Sequence, residues 1–252
     1  MSGPSPRIQS LPRAQLDDFV KENVRQFIED EALAVLDNPY VTPAICQQIA
    51  QNQRLVGFYS VRLKLVANKH TPQAHAVKLV HYLYWSDLVW LSVDVKVAAP
   101  VRRAIDNILV NKVDKLTLGE RITSAKRCSQ TLVKALLFDP DPKVFAALLL
   151  NQRVREDDLL LVAGSDRASS AQLQLLADDR KWSYRYAIRK ALAMNPLTPR
   201  STAASLLRTL SARDLRLIHA NPRTTVYVRR CIERLQPDDA EKDASARGSD
   251  IQ

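Results

Sequence analysis

Apolar residues recur at intervals of three and four along most of the chain, the spacing of one face of an amphipathic helix. Ala76, Leu79 and Leu83 show this spacing, and strand-like alternation of apolar and polar residues is rare. Only five of the 252 residues are glycine, so little opposes helix formation. We therefore expect an all-α fold. The pattern predicts helices over residues 14–29, 30–37, 42–52, 57–68, 71–83, 86–94, 98–113, 118–127, 129–138, 141–151, 155–164, 169–179, 183–194, 198–210, 211–220 and 224–236.

Short segments with Asn, Thr and Pro separate many of these helices. The segment from Asn195 to Pro199 reads Asn-Pro-Leu-Thr-Pro, and a similar segment begins at Asn38. We expect the Asn to end one helix and the Thr to cap the next by accepting from its free N–H groups. Proline suits the first turn of a helix because its missing N–H would have no partner there.

The chain also matches itself. Residues 59–108 align with residues 186–235 without a gap, at an offset of 127, and 15 of the 50 pairs are identical. Chance would give about three identities, so we predict stacked two-helix repeats that are duplicated once along the chain. Asp87 falls opposite Asp214 in this alignment.

One segment between the matched regions has a familiar form. An apolar helix is followed by Asp-Pro-Asp-Pro, from Asp139 to Pro142, and then by Val144 and the run Ala146-Ala147-Leu148. This pattern resembles a HEAT repeat. The Asn-Pro-x-Thr-Pro segments resemble those of the leucine-rich-repeat-variant and HEAT-like bacterial α-solenoids. The resemblance covers roughly residues 30–236 and implies an α-solenoid, a superhelix whose surface is available to a partner.

This interpretation predicts one folded domain with a tail at each end. The tails are rich in Ser, Pro, Asp and Arg and lack apolar periodicity, so we expect both to be disordered. The predicted parts are a tail over 1–12, a single solenoid domain over 13–236, and a tail over 237–252. Within the domain, the duplicated halves are expected at about 29–116 and 156–236, joined by a connecting repeat at 117–155.

The charge of the chain favours acidic partners. The formal net charge is +10, and because residues 237–252 contribute −3, the rest of the chain carries about +13. Such an excess suits nucleic acid, an anionic membrane surface or an acidic protein face. No apolar run approaches 18 residues, so no membrane span is expected. The three widely spaced cysteines and the absence of an apolar leader favour a reducing, cytoplasmic location.

Catalytic and metal-binding patterns are not apparent. The four histidines, His70, His75, His81 and His219, do not have the spacing of paired metal ligands on a helix. Nucleophile, phosphate-loop and dinucleotide motifs are absent, and paired carboxylates stand where helices begin. Trp85 beside Asp87 is the only hint of a base-excision pocket, and Asp214 recurs without that Trp. We expect no enzyme activity, no cofactor and no metal.

Basic residues recur at equivalent positions of the predicted repeats, where they would form a ladder along one surface. These residues are Arg62, Arg102, Arg103, Arg189, Lys190, Arg229 and Arg230. One interpretation is a basic track for phosphates or an acidic protein. The other, which we favour, is that they pair with carboxylates of neighbouring repeats such as Asp87, Asp214, Asp106 or Glu233, with Arg102 on Asp87 and Arg229 on Asp214. Such Asp–Arg ladders are common in HEAT-type stacks.

Aromatic clusters give a second signal. The aromatic residues around Asp87 fall opposite Thr209, Ser211, Ala212 and Leu217, so repeat packing alone does not require them. A second cluster runs from Trp182 to Tyr186, beside the basic residues Lys181 and Arg189. Each cluster either forms an interface hot spot or fills a gap between repeats. The candidate partner-binding residues are Arg62, Tyr84, Trp85, Trp90, Arg102, Arg103, Trp182, Tyr184, Arg185, Arg189, Arg229 and Arg230.

These observations predict a non-enzymatic scaffold or adaptor that binds another protein, with an acidic face on that partner. The alternative is a nucleic-acid-binding HEAT-like protein that uses a basic repeat surface. The oligomeric state stays open.

Overall fold

A computed structural model describes residues 8–236, and these fold as helices joined by short turns, with no strand among them. The all-α prediction is confirmed. None of the helices in this range is both long and apolar enough to cross a membrane. A 3-10 turn lies at Val113–Lys115. The helices are α1 Arg13–Asn23, α2 Glu29–Asp37, α3 Pro43–Gln51, α4 Gln53–Gly57, α5 Tyr59–Ala67, α6 Gln73–Val80, α7 Trp85–Val93, α8 Ala99–Lys112, α9 Leu118–Ala125, α10 Gln130–Leu136, α11 Pro142–Leu149, α12 Glu156–Ala163, α13 Ser170–Asp178, α14 Tyr186–Met194, α15 Arg200–Leu207, α16 Ala212–Ala220 and α17 Val226–Leu235.

The chain forms two compact units, one up to Leu132 and one from Val133 onward. In the first unit α2 packs on α5, α5 on α6, and both α6 and α7 on α8. In the second unit α11 packs on α13, α12 on α14, α14 on α15, and both α15 and α16 on α17. Helices therefore contact neighbours from one to three positions along the chain, and the same kind of pairing recurs within each unit.

Buried aliphatic side chains fill the space between these helices. Leu65, Leu91 and Ile105 are fully buried in the first unit, as are Phe145 and Leu192 in the second. Each helix therefore buries one apolar stripe, as the three- and four-residue spacing predicts.

Buried asparagines connect a turn to a helix much earlier in the chain. The Asn195 Nδ2 donates to the carbonyls of Ala163, at 2.7 Å, and Ser165, at 3.0 Å. Its Oδ1 accepts from the backbone N–H of Leu197 at 2.9 Å, which closes the local turn. The same two-way bonding recurs at Asn38, which reaches Ile8 and Leu11, and at Asn68, which reaches Leu36.

The threonines of these turns do not all cap the following helix. Thr42 caps α3 by accepting from the N–H of Ile45, as predicted. Thr198 instead donates to the carbonyl of Leu192 at 2.7 Å, and Thr224 donates to that of Ile218 at 2.6 Å. Both threonines are buried against the preceding helix, where each hydroxyl adds a second hydrogen bond to a carbonyl that also accepts from the backbone N–H of Asn195 or Asn221.

The predicted disorder of residues 1–12 is wrong for residues 8–12. Ile8 is only 4% exposed, and the carbonyls of Ile8 and Leu11 accept from the buried side chain of Asn38. Ile8 and Leu11 are too few to give a periodic signal, although one buried side chain and two hydrogen bonds are enough to order a short segment. The remaining tail residues, 1–7 and 237–252, lie outside the described part of the chain.

Most predicted helix ends lie within three residues of the observed ones, and two differences are larger. α1 ends at Asn23 rather than near residue 29. The short helix α4 was not predicted, and it begins because the Oδ1 of Asn52 accepts from the N–H groups of Arg54 and Leu55. The guanidinium of Arg54 in turn donates to the carbonyl of Phe27.

Candidate partner-binding surfaces

An aromatic groove lies between α7 and α9 in the first unit. Its volume is about 550 Å³, and Tyr84 and Trp90 are 67% and 57% exposed. Trp85 is fixed at its wall because the indole N–H donates to the Ser124 hydroxyl at 2.7 Å. The apolar part of the lining is formed by Tyr84, Trp85, Val89, Trp90 and Val93.

A second depression adjoins this groove. It has a volume of about 570 Å³ and is lined partly by Ala67, Val95 and Lys96. Trp90 and Val93 line both depressions. The side chain of Trp90 therefore separates the two, and we call it the ridge. Val95 is 83% exposed and extends the apolar surface past the end of α7.

Arg62 is connected to this surface through a tyrosine. Its guanidinium lies 5.7 Å from the ring centre of Tyr59 and 6.0 Å from that of Tyr82. The Tyr59 ring is in turn 4.4 Å from that of Tyr84. Three candidates from the sequence, Tyr84, Trp85 and Trp90, therefore line one groove, and Arg62 lies one ring away from it.

A tyrosine hydroxyl holds the start of α7. The hydroxyl of Tyr59 donates to the carboxylate of Asp87 and accepts from the backbone N–H of Tyr84 at 3.1 Å. Burial of the phenol and its bond to Asp87 raise the pKa of Tyr59 to about 12. Asp87 is thus engaged in positioning α7 rather than open to a substrate.

The aligned residues of the second unit make the same contacts. The hydroxyl of Tyr186 donates to Asp214 and accepts from the backbone N–H of Ser211 at 3.0 Å. The guanidinium of Arg189 lies 5.6 Å from the ring centre of Tyr186. Lys190 adds an ion pair to Asp214 at 2.7 Å. The bonds from Lys190, Tyr186 and Ser211 lower the pKa of Asp214 to about 2.

The prediction that ladder arginines pair with Asp87 and Asp214 is wrong. Both carboxylates are already bonded to tyrosine hydroxyls, and Asp214 also to Lys190. Arg229 instead donates to the carbonyls of Asn221, at 3.0 Å, and Pro222, at 3.4 Å. At four matching positions the Nε atom is buried and has no hydrogen-bond partner within residues 8–236, namely at Arg62, Arg102, Arg189 and Arg229.

The second aromatic cluster divides between the core and the surface. Trp182 is only 4% exposed and Lys181 lies over its ring, so it cannot serve as an interface residue. Tyr184 is 81% exposed, and Arg185 lies on the surface with its Nε 3.7 Å from Glu156. Two ladder arginines, Arg103 and Arg230, are exposed.

One basic surface was missed by the sequence-based selection. Arg200, at the start of α15, lies over the ring of Tyr227 on α17, at 5.6 Å from its centre. The signal was present in the composition, because residues 185–236 contain eleven Lys and Arg against two Asp and Glu.

No three His, Cys, Asp or Glu side chains in the described range are placed to hold a metal ion. No family model, curated protein or solved structure matches the chain. The candidate surfaces are accordingly defined by the residues of this chain alone.

Proposed function

We propose that the chain is an internally duplicated, HEAT-like α-solenoid, and that its first unit is a non-enzymatic scaffold that binds a protein segment in the α7–α9 groove. Two features support the repeat. Helices pack on later helices in a recurring way within each unit. The Tyr59–Asp87 and Tyr186–Asp214 contacts occur at aligned positions.

The exposed Trp90 is the main support for partner binding in the groove. A tryptophan that is 57% exposed between two depressions leaves a large apolar area in water, which a partner would cover. Tryptophan and tyrosine dominate the hot spots of protein interfaces. At the aligned positions the second unit has Leu217 for Trp90 and Ala212 for Trp85, so the repeat can be built without these aromatics.

The rim of the groove defines the chemistry of the partner. Lys96 lines one depression and Arg127 the other, and neither has a carboxylate partner within residues 8–236. Two carboxylates also line the depressions: Asp94 accepts from the N–H of Lys96, and Glu120 accepts from the N–H and hydroxyl of Thr117. Both carboxylates are held by their own turns, whereas Lys96 and Arg127 have no ion-pair partner within residues 8–236. The partner would therefore present an apolar anchor that covers Trp90, with acidic residues beside it to meet Lys96 and Arg127.

A peptide library tests this proposal directly. Peptides selected on the wild-type protein and counter-selected on Trp90→Leu should contain a large apolar residue next to Asp or Glu. The Leu variant is the natural comparison, because Leu217 occupies the aligned position. The affinity of the selected peptides should fall at least about tenfold in this variant, since removing a hot-spot tryptophan costs about 2 kcal/mol or more.

Tyr184→Ser is the matched control, since Tyr184 is an exposed aromatic residue of the second unit. It should leave peptide binding unchanged, and circular dichroism should show both variants fully helical. Peptides that bind wild type and Trp90→Leu equally well would exclude the groove as the binding site.

A further inference from the structure

The second unit concentrates arginine on its last helices. Ten of the eleven basic residues between positions 185 and 236 are arginine, and only two acidic residues accompany them. The aligned segment of the first unit, residues 58–109, has seven basic and three acidic residues. The large excess of basic over acidic residues is therefore particular to the second unit and is not shared by the aligned segment of the first.

One of these arginines lies over a tyrosine ring, and two more follow that tyrosine along its helix. Arg200 lies 5.6 Å from the ring centre of Tyr227, and α15 packs on α17. Arg230 and Arg234 follow Tyr227 by three and seven residues on α17, which places them on the same helix face. All three arginines are exposed, and Tyr227 is 37% exposed. We call this set the Arg–Tyr surface.

No carboxylate of the described chain neutralises this surface. No ion pair within residues 8–236 involves Arg200, Arg230 or Arg234. The acidic residue of α17, Glu233, is bonded to the imidazole Nε2 of His219 at 3.1 Å. The charge is therefore available to a ligand.

Helix packing does not require Arg200, Tyr227 or Arg234. The aligned positions of the first unit hold Gln73 for Arg200, Pro100 for Tyr227 and Asn107 for Arg234. A helix pair with the same pattern can thus be built with neutral residues at each of these places.

We propose that the Arg–Tyr surface binds single-stranded nucleic acid, with the arginines on its phosphates and Tyr227 stacked against a base. The planar guanidinium pairs with phosphate oxygens through two parallel hydrogen bonds, which lysine cannot do. An exposed aromatic ring among basic side chains is the arrangement on which bases stack without regard to sequence. The proposal does not depend on the groove of the first unit.

The test uses the full chain and a fluorescent oligothymidine of about thirty nucleotides, followed by fluorescence anisotropy across a range of salt concentrations. Arg200→Gln with Arg234→Asn replaces two arginines by the residues of the aligned unit. We expect affinity to fall at least about tenfold, and the slope of log affinity against log salt to become shallower by about 1.4, or about 0.7 for each lost phosphate contact. Tyr227→Ala should weaken binding about fivefold or more, with no change in that slope.

Arg103→Gln is the matched control, because Arg103 is exposed and aligns with Arg230 of the Arg–Tyr surface. It should bind the oligonucleotide as the wild type does, and so should Trp90→Leu. An equal loss in Arg103→Gln would overturn the assignment to the second unit. Polyglutamate binding as tightly at the same salt would point to an acidic protein and contradict the proposal. Tighter binding of the matching duplex would contradict the single-stranded part.

Discussion

Each buried Asn turn relies on one side chain that bonds in two directions. Asn195 is 6% exposed and joins its own turn to the carbonyls of Ala163 and Ser165. Asn221 closes a similar turn by accepting from the N–H of Arg223, but its amide nitrogen donates to no group within residues 8–236. Asn195 and Asn221 therefore differ in the long-range hydrogen bonds of the side-chain amide, while the bond that closes the local turn is the same.

We expect Asn195→Ala to destabilise the protein by about 1–3 kcal/mol, because two buried carbonyls lose their donor. Asn221→Ala should cost clearly less, since only the local turn is affected. Urea unfolding followed by circular dichroism measures both. Equal losses would mean that the long-range bonds contribute nothing.

The carboxylate of Asp214 makes stability depend on pH. Its pKa falls from 3.8 to about 2 in the folded chain, chiefly through the bond from Lys190. A lowered pKa contributes stability that is fully present above about pH 4 and is lost as the pH falls through about 2. The melting temperature of Asp214→Asn should therefore lie below that of wild type at pH 7, and the two should converge between pH 4 and 2. A difference that stays constant over this range would contradict the assignment.

At the scale of the element, buried leucines of aligned helices should contribute similar amounts to the free energy of unfolding. Leu79 on α6 and Leu206 on α15 are 9% and 8% exposed and are aligned in the two halves. We expect Leu79→Ala and Leu206→Ala each to cost about 2–5 kcal/mol in unfolding free energy, because each leaves a cavity. Leu217→Ala, at a position 54% exposed, is the control and should be nearly neutral.

Helix positions followed from the sequence far better than helix ends. The predicted helix at 98–113 is found at Ala99–Lys112, because a long run of apolar residues on one face fixes it. The role of Thr198 could not be predicted, since its hydroxyl can reach either the next helix or the previous one. The partner of the hydroxyl depends on how the turn packs against the preceding helix, and the local sequence does not determine that packing.

At the scale of the whole molecule, fold class was predictable and contact partners were not. The aligned positions of Asp87 and Asp214 were visible in the sequence, but the residues that reach them were not. The hydroxyls of Tyr59 and Tyr186 bond to the two carboxylates. The arginines that were expected to pair with these carboxylates therefore do not contact them. The burial of Trp182 was equally hidden, because its neighbours in the chain are polar and basic.

The two units have one set of contacts in common and differ in the side chains on their surfaces. The Tyr–Asp contact and the arginine stacked on its tyrosine are common to both units. Aromatic residues at Tyr84, Trp85 and Trp90 are particular to the first. The second has arginines where the first has neutral side chains. Under our two proposals, one chain would join a protein segment to a nucleic acid.

The different settings of the three tryptophans give the groove its own optical reporter. Trp182 is shielded, Trp85 is hydrogen-bonded at the groove wall, and Trp90 is largely in water. Excitation of the unlabelled protein should therefore yield overlapping emissions, with the long-wavelength share coming mainly from Trp90. That share should be the one most readily quenched by acrylamide, and it should shift to shorter wavelength when a ligand covers the ridge. Occupancy of the groove can thus be followed in solution without a dye, and Trp90→Leu supplies the baseline.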